Sequence, residues 1–124
     1  MISVVIPTLN EELNIKKTLK KLSSIKNFRN YEYIIVDDNS EDNTKVETVK
    51  FNKILNIKFI ENKKMLGLGY AFKLGYKKSK NKYVLFLDAD LSTSKKDIIK
   101  IINRKKINTM VIGSRYLKNS SIVG

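Results

Sequence analysis

Two short acidic clusters, Asp37-Asp38-Asn39-Ser40 and Asp88-Ala89-Asp90, each directly follow an apolar run, and together they hold four of the 12 acidic residues. Carboxylates in such clusters are ligands for a hard divalent cation or acceptors for sugar hydroxyls. Little else in the chain offers comparable chemistry. There is no His and no Cys, which removes disulfides, thiolate and imidazole catalysis, serine–histidine hydrolysis and ordinary zinc sites. With oxygen donors alone, Mg²⁺ or Mn²⁺ is the expected ion, sharing its shell with substrate phosphates. The competing reading is that strand-end Asp residues merely cap helices or close Asx-turns. It carries equal weight for one acid alone and less for two acidic ends together.

Asp88 and Asp90 would share a face in a continuing strand. Because the chain must turn toward Ser94, their carboxylates need not be equivalent. One can bind metal directly while the other acts through water or a sugar hydroxyl. Gly67-Leu68-Gly69 opens a helix whose amides could approach a phosphate, but Phe72 stands where a dinucleotide fingerprint requires glycine. Close packing or a tight turn is the preferred reading of these glycines. Arg115 is either a phosphate clamp or an ordinary surface residue.

The elements that must position these groups alternate in an α/β rhythm. Strands are expected at Ile2–Ile6, stopping at Pro7, and at Tyr31–Val36, Ile57–Ile60, Tyr83–Leu87 and Thr109–Ile112. Tyr83–Leu87 is apolar throughout and so is expected to be buried on both faces. Helices are expected from Glu11, capped by Asn10, with Ile15, Leu19 and Leu22 on one face, and over Asn43–Leu55 and Gly67–Ser79. A last one, capped by Ser94, carries Ile98, Ile99, Ile101 and Ile102. The result is a mostly parallel sheet of about five strands with helices on both faces. Ligands of such a sheet bind outside the carboxyl ends of its strands, where Asp37, Asp38, Asp88 and Asp90 fall.

The formal charge of +13 comes from 25 Lys and Arg against 12 Asp and Glu. Only Arg29, Arg104 and Arg115 are arginines, although base-edge readout favours Arg, and the lysines are scattered. Nucleic acid is therefore not an expected partner. Heavy use of Lys, Asn and Ile fits an AT-rich coding bias spread over solvated faces, with attraction to an anionic membrane surface as a second use. Met1 leads straight into a strand-like run, so no signal peptide is expected, and no apolar run of about 18 residues predicts a bilayer span.

Taken in order, Val4-Val5-Ile6-Pro7-Thr8-Leu9-Asn10-Glu11, Ile34-Ile35-Val36-Asp37-Asp38-Asn39-Ser40, Gly67-Leu68-Gly69-Tyr70-Ala71, Asp88-Ala89-Asp90-Leu91-Ser92 and Gly113-Ser114-Arg115-Tyr116 resemble family 2 glycosyltransferases of the GT-A fold. The likeness is greatest to the dolichyl-phosphate mannosyltransferase and polyprenyl-phosphate glycosyltransferase branch. The resemblance implies a nucleotide-diphosphate-sugar donor of the GDP-mannose or UDP-glucose type, Mg²⁺ or Mn²⁺, and inverting transfer to a dolichyl or polyprenyl phosphate. By position, Pro7, Leu9 and Glu11 would line the base and ribose site, with Asp37 and Asp38 nearby. Asp88 and Asp90 would form the metal–diphosphate site, with Ser92 where many relatives have Gln. Arg115 would face the diphosphate or the acceptor phosphate, and with Asp88 and Asp90 would carry catalysis. Where relatives often carry Arg before the glycines, this chain has Asn62-Lys63-Lys64-Met65. Catalytic domains of the family continue beyond the point matching Gly124, so residues 1–124 are expected to be a donor-binding domain lacking its acceptor part. The expected setting is the cytoplasmic face of a membrane, with peripheral attachment. Alternatives are a non-catalytic nucleotide-sugar-binding fragment, a receiver-like signalling domain and a basic nucleic-acid module.

Overall fold

A computed structural model describes residues 1–64, 66–91, 93–103, 110–113 and 122–123. The elements run β1 (Ile2–Thr8), α1 (Glu12–Ser23), β2 (Glu32–Asp37), α2 (Thr44–Val49), β3 (Asn56–Glu61), α3 (Leu68–Lys78), β4 (Tyr83–Leu87), α4 (Lys95–Asn103), β5 (Met110–Gly113) and β6 (Ile122–Val123). They form one six-stranded sheet in the order β3-β2-β1-β4-β5-β6. β1 to β5 are parallel, and β6 joins β5 antiparallel. A receiver-like domain has the strand order 2-1-3-4-5; here β3 lies outside β2, which excludes that reading.

Alternation along the strands makes two cores. Val4 and Ile6 of β1, Tyr33 and Ile35 of β2, and Leu85 and Leu87 of β4 pack with Ile15, Leu19 and Leu22 of α1 and Ile98 and Ile101 of α4. Val5, Ile34, Val36, Val84 and Phe86 point the other way, toward Ala71, Phe72 and Leu74 of α3. β4 is thus buried on both faces, as its sequence predicts. α3 sits close to β1 because Gly75 lacks a side chain: a Cβ there would lie 2.3 Å from Val5 Cγ1.

Several boundaries differ from expectation for identifiable reasons. β1 continues through Pro7 to Thr8, with Pro7 opposite Val36. Its ladder with β4 has ended at Val5, so a residue without an N–H is accommodated. Asn10 does not cap α1: it adopts φ 52°, and Glu11 occupies the N-cap position. The helix expected over Asn43–Leu55 is α2 followed by a 3-10 stretch at Lys50–Lys53. Of α2, only Thr44 and Thr48 are buried, and β-branched residues with no continuous apolar stripe do not sustain a long helix. Ser94 does cap α4, its hydroxyl accepting the Asp97 N–H at 3.2 Å. β6 was not expected, since two residues carry no periodicity.

At the amino end of the sheet, Glu32 is buried and accepts hydrogen bonds from the Ser3 hydroxyl at 2.7 Å and the Lys80 N–H at 3.0 Å. Burial pushes its carboxyl up, but these donors and the Lys58 and Lys80 ammoniums outweigh it and hold it below the usual Glu range. Among the described residues, no helix is long and apolar enough to cross a membrane.

Candidate functional site

The chain reverses its direction of travel across the sheet between β1 and β4, and an open parallel sheet has its binding crevice at such a switch point. The ends of these two strands bound a cleft here. It encloses about 270 Å³ and is lined by Pro7, Thr8, Leu9 and Glu11, by Asp38, by Gly67, Leu68 and Ala71, and by Asp88, Ala89 and Asp90.

The first wall is built where β1 and β2 end. Asp37 is 5% exposed and accepts from the Thr8 hydroxyl at 2.6 Å, the Ser40 hydroxyl at 2.6 Å and the Ser40 N–H at 2.9 Å. Its carboxylate braces the strand ends and is not part of the cleft lining. Asp38 is. Its N–H donates to Thr8 O at 2.9 Å, and its carboxylate accepts from Asn62 Nδ2 at 3.3 Å and the Gly67 N–H at 3.1 Å. Gly67 has φ +90°, a conformation that disfavours a Cβ, so this glycine serves a tight turn. Neither Gly67 nor Gly69 would bring a Cβ near anything; the close-packing role falls to Gly75.

The loops after β1 and β2 are tied to each other. The Asn10 N–H donates to Ser40 Oγ and the Glu41 N–H to Asn10 Oδ1, both at 2.8 Å. The start of α1 finds acceptors in the second loop and at the head of α2, the Glu11 N–H at Thr44 Oγ1 (2.9 Å) and the Glu12 N–H at Asp42 Oδ2 (3.2 Å). These side chains do from 30 and 33 residues away what a local cap usually does. Burial raises the Asp42 carboxyl, but the Thr44 hydroxyl and the Glu12 and Thr44 N–H groups outweigh it and hold it below the usual Asp range.

The second wall is the turn after β4. Ala89 and Leu91 are buried in the α1-side core, while Asp88 and Asp90 are half-buried and line the cleft. The turn is gripped from α1: Thr18 Oγ1 donates to Ala89 O at 2.5 Å and accepts from the Leu91 N–H at 3.3 Å. Lys21 Nζ donates to Leu91 O at 3.0 Å and Thr93 O at 3.2 Å. Among the described residues, no three acidic groups converge into a closed cation cage. Two carboxylates on an open wall are instead a donor set that suits a hard ion whose shell is completed by phosphate oxygens and water.

The structure therefore brings Pro7, Leu9, Glu11, Asp38, Asp88 and Asp90 to one cleft, with Asp37 behind its wall. Ser92 and Arg115 lie outside the described residues, as does Met65. Thr8, Leu68 and Ala71 also line the cleft; in the sequence they and Asn62 stand only inside longer motif segments without a role of their own, and Thr18, Lys21, Asp42 and Thr44 carry no mark. For Thr8 a signal existed: it ends a strand parallel to the one that Asp37 ends.

The model of the family described as glycosyl transferase family 2 matches residues 3–123. The chain belongs to glycosyl transferase family 2. A dolichol-phosphate mannosyltransferase of Pyrococcus furiosus is 32% identical over 122 residues, covering 98% of this family 2 chain and 35% of the relative. The enzyme of the same name from Saccharomyces cerevisiae is 30% identical over 118 residues, covering 92% and 44%. The chain thus spans less than half the length of these curated relatives. Residues 1–349 of TarS from S. aureus superpose with a TM-score of 0.73 at 30% identity, covering 82% of this chain and 32% of that one. A mannosyltransferase from Pyrobaculum calidifontis, solved with GDP-Man and Mn²⁺, reaches the same TM-score at 22% identity, covering 82% and 31%. The family 2 chain has the GT-A fold of these neighbours.

Proposed function

We propose that this family 2 chain is the donor-binding part, residues 1–124, of an inverting glycosyltransferase. It takes a sugar from a nucleotide-diphosphate-sugar and passes it to a dolichyl or polyprenyl phosphate at the cytoplasmic face of a membrane. The observation that carries this reading is the cleft at the β1/β4 switch point, with Pro7, Leu9, Glu11 and Asp38 on one side and Asp88 and Asp90 on the other.

The two sides suit different halves of a donor. Pro7, Leu9 and Leu68 offer apolar surface to a base, and the carboxylates of Glu11 and Asp38 accept hydrogen bonds from ribose hydroxyls or base N–H groups. Asp88 and Asp90 would hold Mg²⁺ or Mn²⁺ against the diphosphate. When bound, that ion supplies charge neutralisation for the departing nucleoside diphosphate. Relatives support the pairing: TarS has been solved with UDP-GlcNAc, and the Pyrobaculum calidifontis enzyme with GDP-Man and Mn²⁺.

The mannosyltransferase relatives support a lipid phosphate as acceptor. A hydroxyl acceptor needs a general base. A phosphate monoester has its second pKa at about 6, so it arrives largely as a dianion needing no base. The protein's task is then to orient donor and acceptor. Arg115 is assigned to the diphosphate or the acceptor phosphate, and the +13 charge to holding the domain at anionic lipid.

The test is sugar transfer by the protein that joins this donor-binding part to an acceptor part, from GDP-mannose and from UDP-glucose to a polyprenyl phosphate, with and without Mn²⁺. Metal-dependent product from one donor is the expected result. Donor binding without transfer points to the non-catalytic binding fragment, and neither binding nor transfer overturns the reading.

A further inference from the structure

Thr18 lies in α1 beside Ile15, Leu19 and Leu22 and is 2% exposed. A hydroxyl buried among aliphatic side chains costs stability unless it finds partners. Both partners come from one turn, 71 and 73 residues further along the chain. The hydroxyl donates to Ala89 O and accepts from the Leu91 N–H. One helical turn on, the Lys21 ammonium reaches Leu91 O and Thr93 O. These contacts bracket the turn that carries Asp88 and Asp90. They hold residues 89 and 91 against α1 while residues 88 and 90 line the cleft.

We propose that Thr18, assisted by Lys21, is a positioning residue for the carboxylate wall: α1 fixes the turn after β4 and thereby sets how Asp88 and Asp90 are presented to a metal–diphosphate group. The proposal rests on the glycosyl-transfer reading for what the cleft binds, and adds what holds the binding groups in place. Groups that orient ligating carboxylates change metal affinity or activity by about 10- to 100-fold when removed. α1 also begins on the opposite wall, where Thr44 and Asp42 receive its first N–H groups. One helix therefore touches both walls, ordered by the first at its start and holding the second from its middle.

The test uses the full chain with Thr18→Val, which keeps the shape and loses the hydroxyl, Thr18→Ser, which keeps the hydroxyl, and Lys21→Met. Binding of GDP-mannose and UDP-glucose is measured by calorimetry with and without Mn²⁺, and exchange of the Leu91 amide by NMR. Thr18→Val is expected to weaken the Mn²⁺-dependent component about tenfold or more, to leave metal-free nucleotide binding unchanged, and to speed Leu91 exchange. Thr18→Ser is expected to recover most of the loss, and Lys21→Met to shift binding in the same direction by less. Equal impairment in the Val and Ser variants reduces Thr18 to packing and overturns the proposal. So does a Thr18→Val chain with wild-type metal dependence. If Thr18→Val fails to fold, Lys21→Met decides, and unchanged metal dependence there overturns the proposal. A wild-type chain with no Mn²⁺-dependent binding overturns the functional reading instead, and Leu91 exchange alone then decides whether the clamp exists.

Discussion

The wall that ends β2 and the wall that ends β4 both present acids to the same cleft, but they get their order from different places. On the β2 side the acidic motif organises itself and its neighbours. Asp37 gathers Thr8 and Ser40, Asp38 gathers Asn62 and Gly67, and Asp42 with Thr44 receives the start of α1. On the β4 side the wall is held by a helix distant in sequence, through Thr18 and Lys21. One wall spends carboxylates on its own architecture; the other has its backbone held from behind.

The largest effect that separates the walls is on stability. Asp37→Ala strands two hydroxyls and an amide at a buried position and is expected to cost about 3 kcal/mol, read from denaturant melts. Thr18→Val strands one carbonyl and one amide and is expected to cost about 1–2 kcal/mol. The reverse order breaks the comparison. Gly75→Ala belongs to neither wall and serves as a control: its Cβ meets Val5 Cγ1, so overpacking is expected to cost about 2 kcal/mol while nucleotide affinity of the folded chain changes little. Companion melts of the Val5→Ala, Gly75→Ala double variant should show part of that cost relieved.

The smallest effect is on pH dependence. The Asp42 carboxyl is held below its usual range in the folded chain. Its contribution is therefore present above the unfolded value of about 3.9 and is lost as pH falls through the lower folded value. Melting temperatures of wild type and Asp42→Asn should differ at neutral pH and converge in acid. A gap that persists or widens as pH falls contradicts the role given to Asp42 on the self-organised wall.

Much of this was legible in the sequence because apolar runs with periods of two and near four report which faces are buried, and because acids after such runs must stand at strand ends. Asp38, Asp88 and Asp90 reached the cleft for that reason. Asp37 carries the same signal as Asp38, yet its carboxylate turns to Thr8 and Ser40, since adjacent residues at a strand end point to opposite faces. Thr18 left no mark: a threonine between apolar helix positions looks like ordinary packing, and its partners are two backbone groups 71 and 73 residues away. Asn10 looked like a helix cap because the residue type is right. The real acceptors for the first turn come from Thr44 and Asp42, which no local window contains.

The proposed function gives a metal–diphosphate group to the β4 wall and the rest of the nucleotide to the β2 wall. Calorimetric titration of wild type and Asp90→Ala with GDP-mannose and UDP-glucose, each with and without Mn²⁺, tests it most directly. Mn²⁺ is expected to tighten binding of one donor to the wild-type chain, and Asp90→Ala to abolish this gain. Unchanged Mn²⁺-dependent affinity in Asp90→Ala contradicts it.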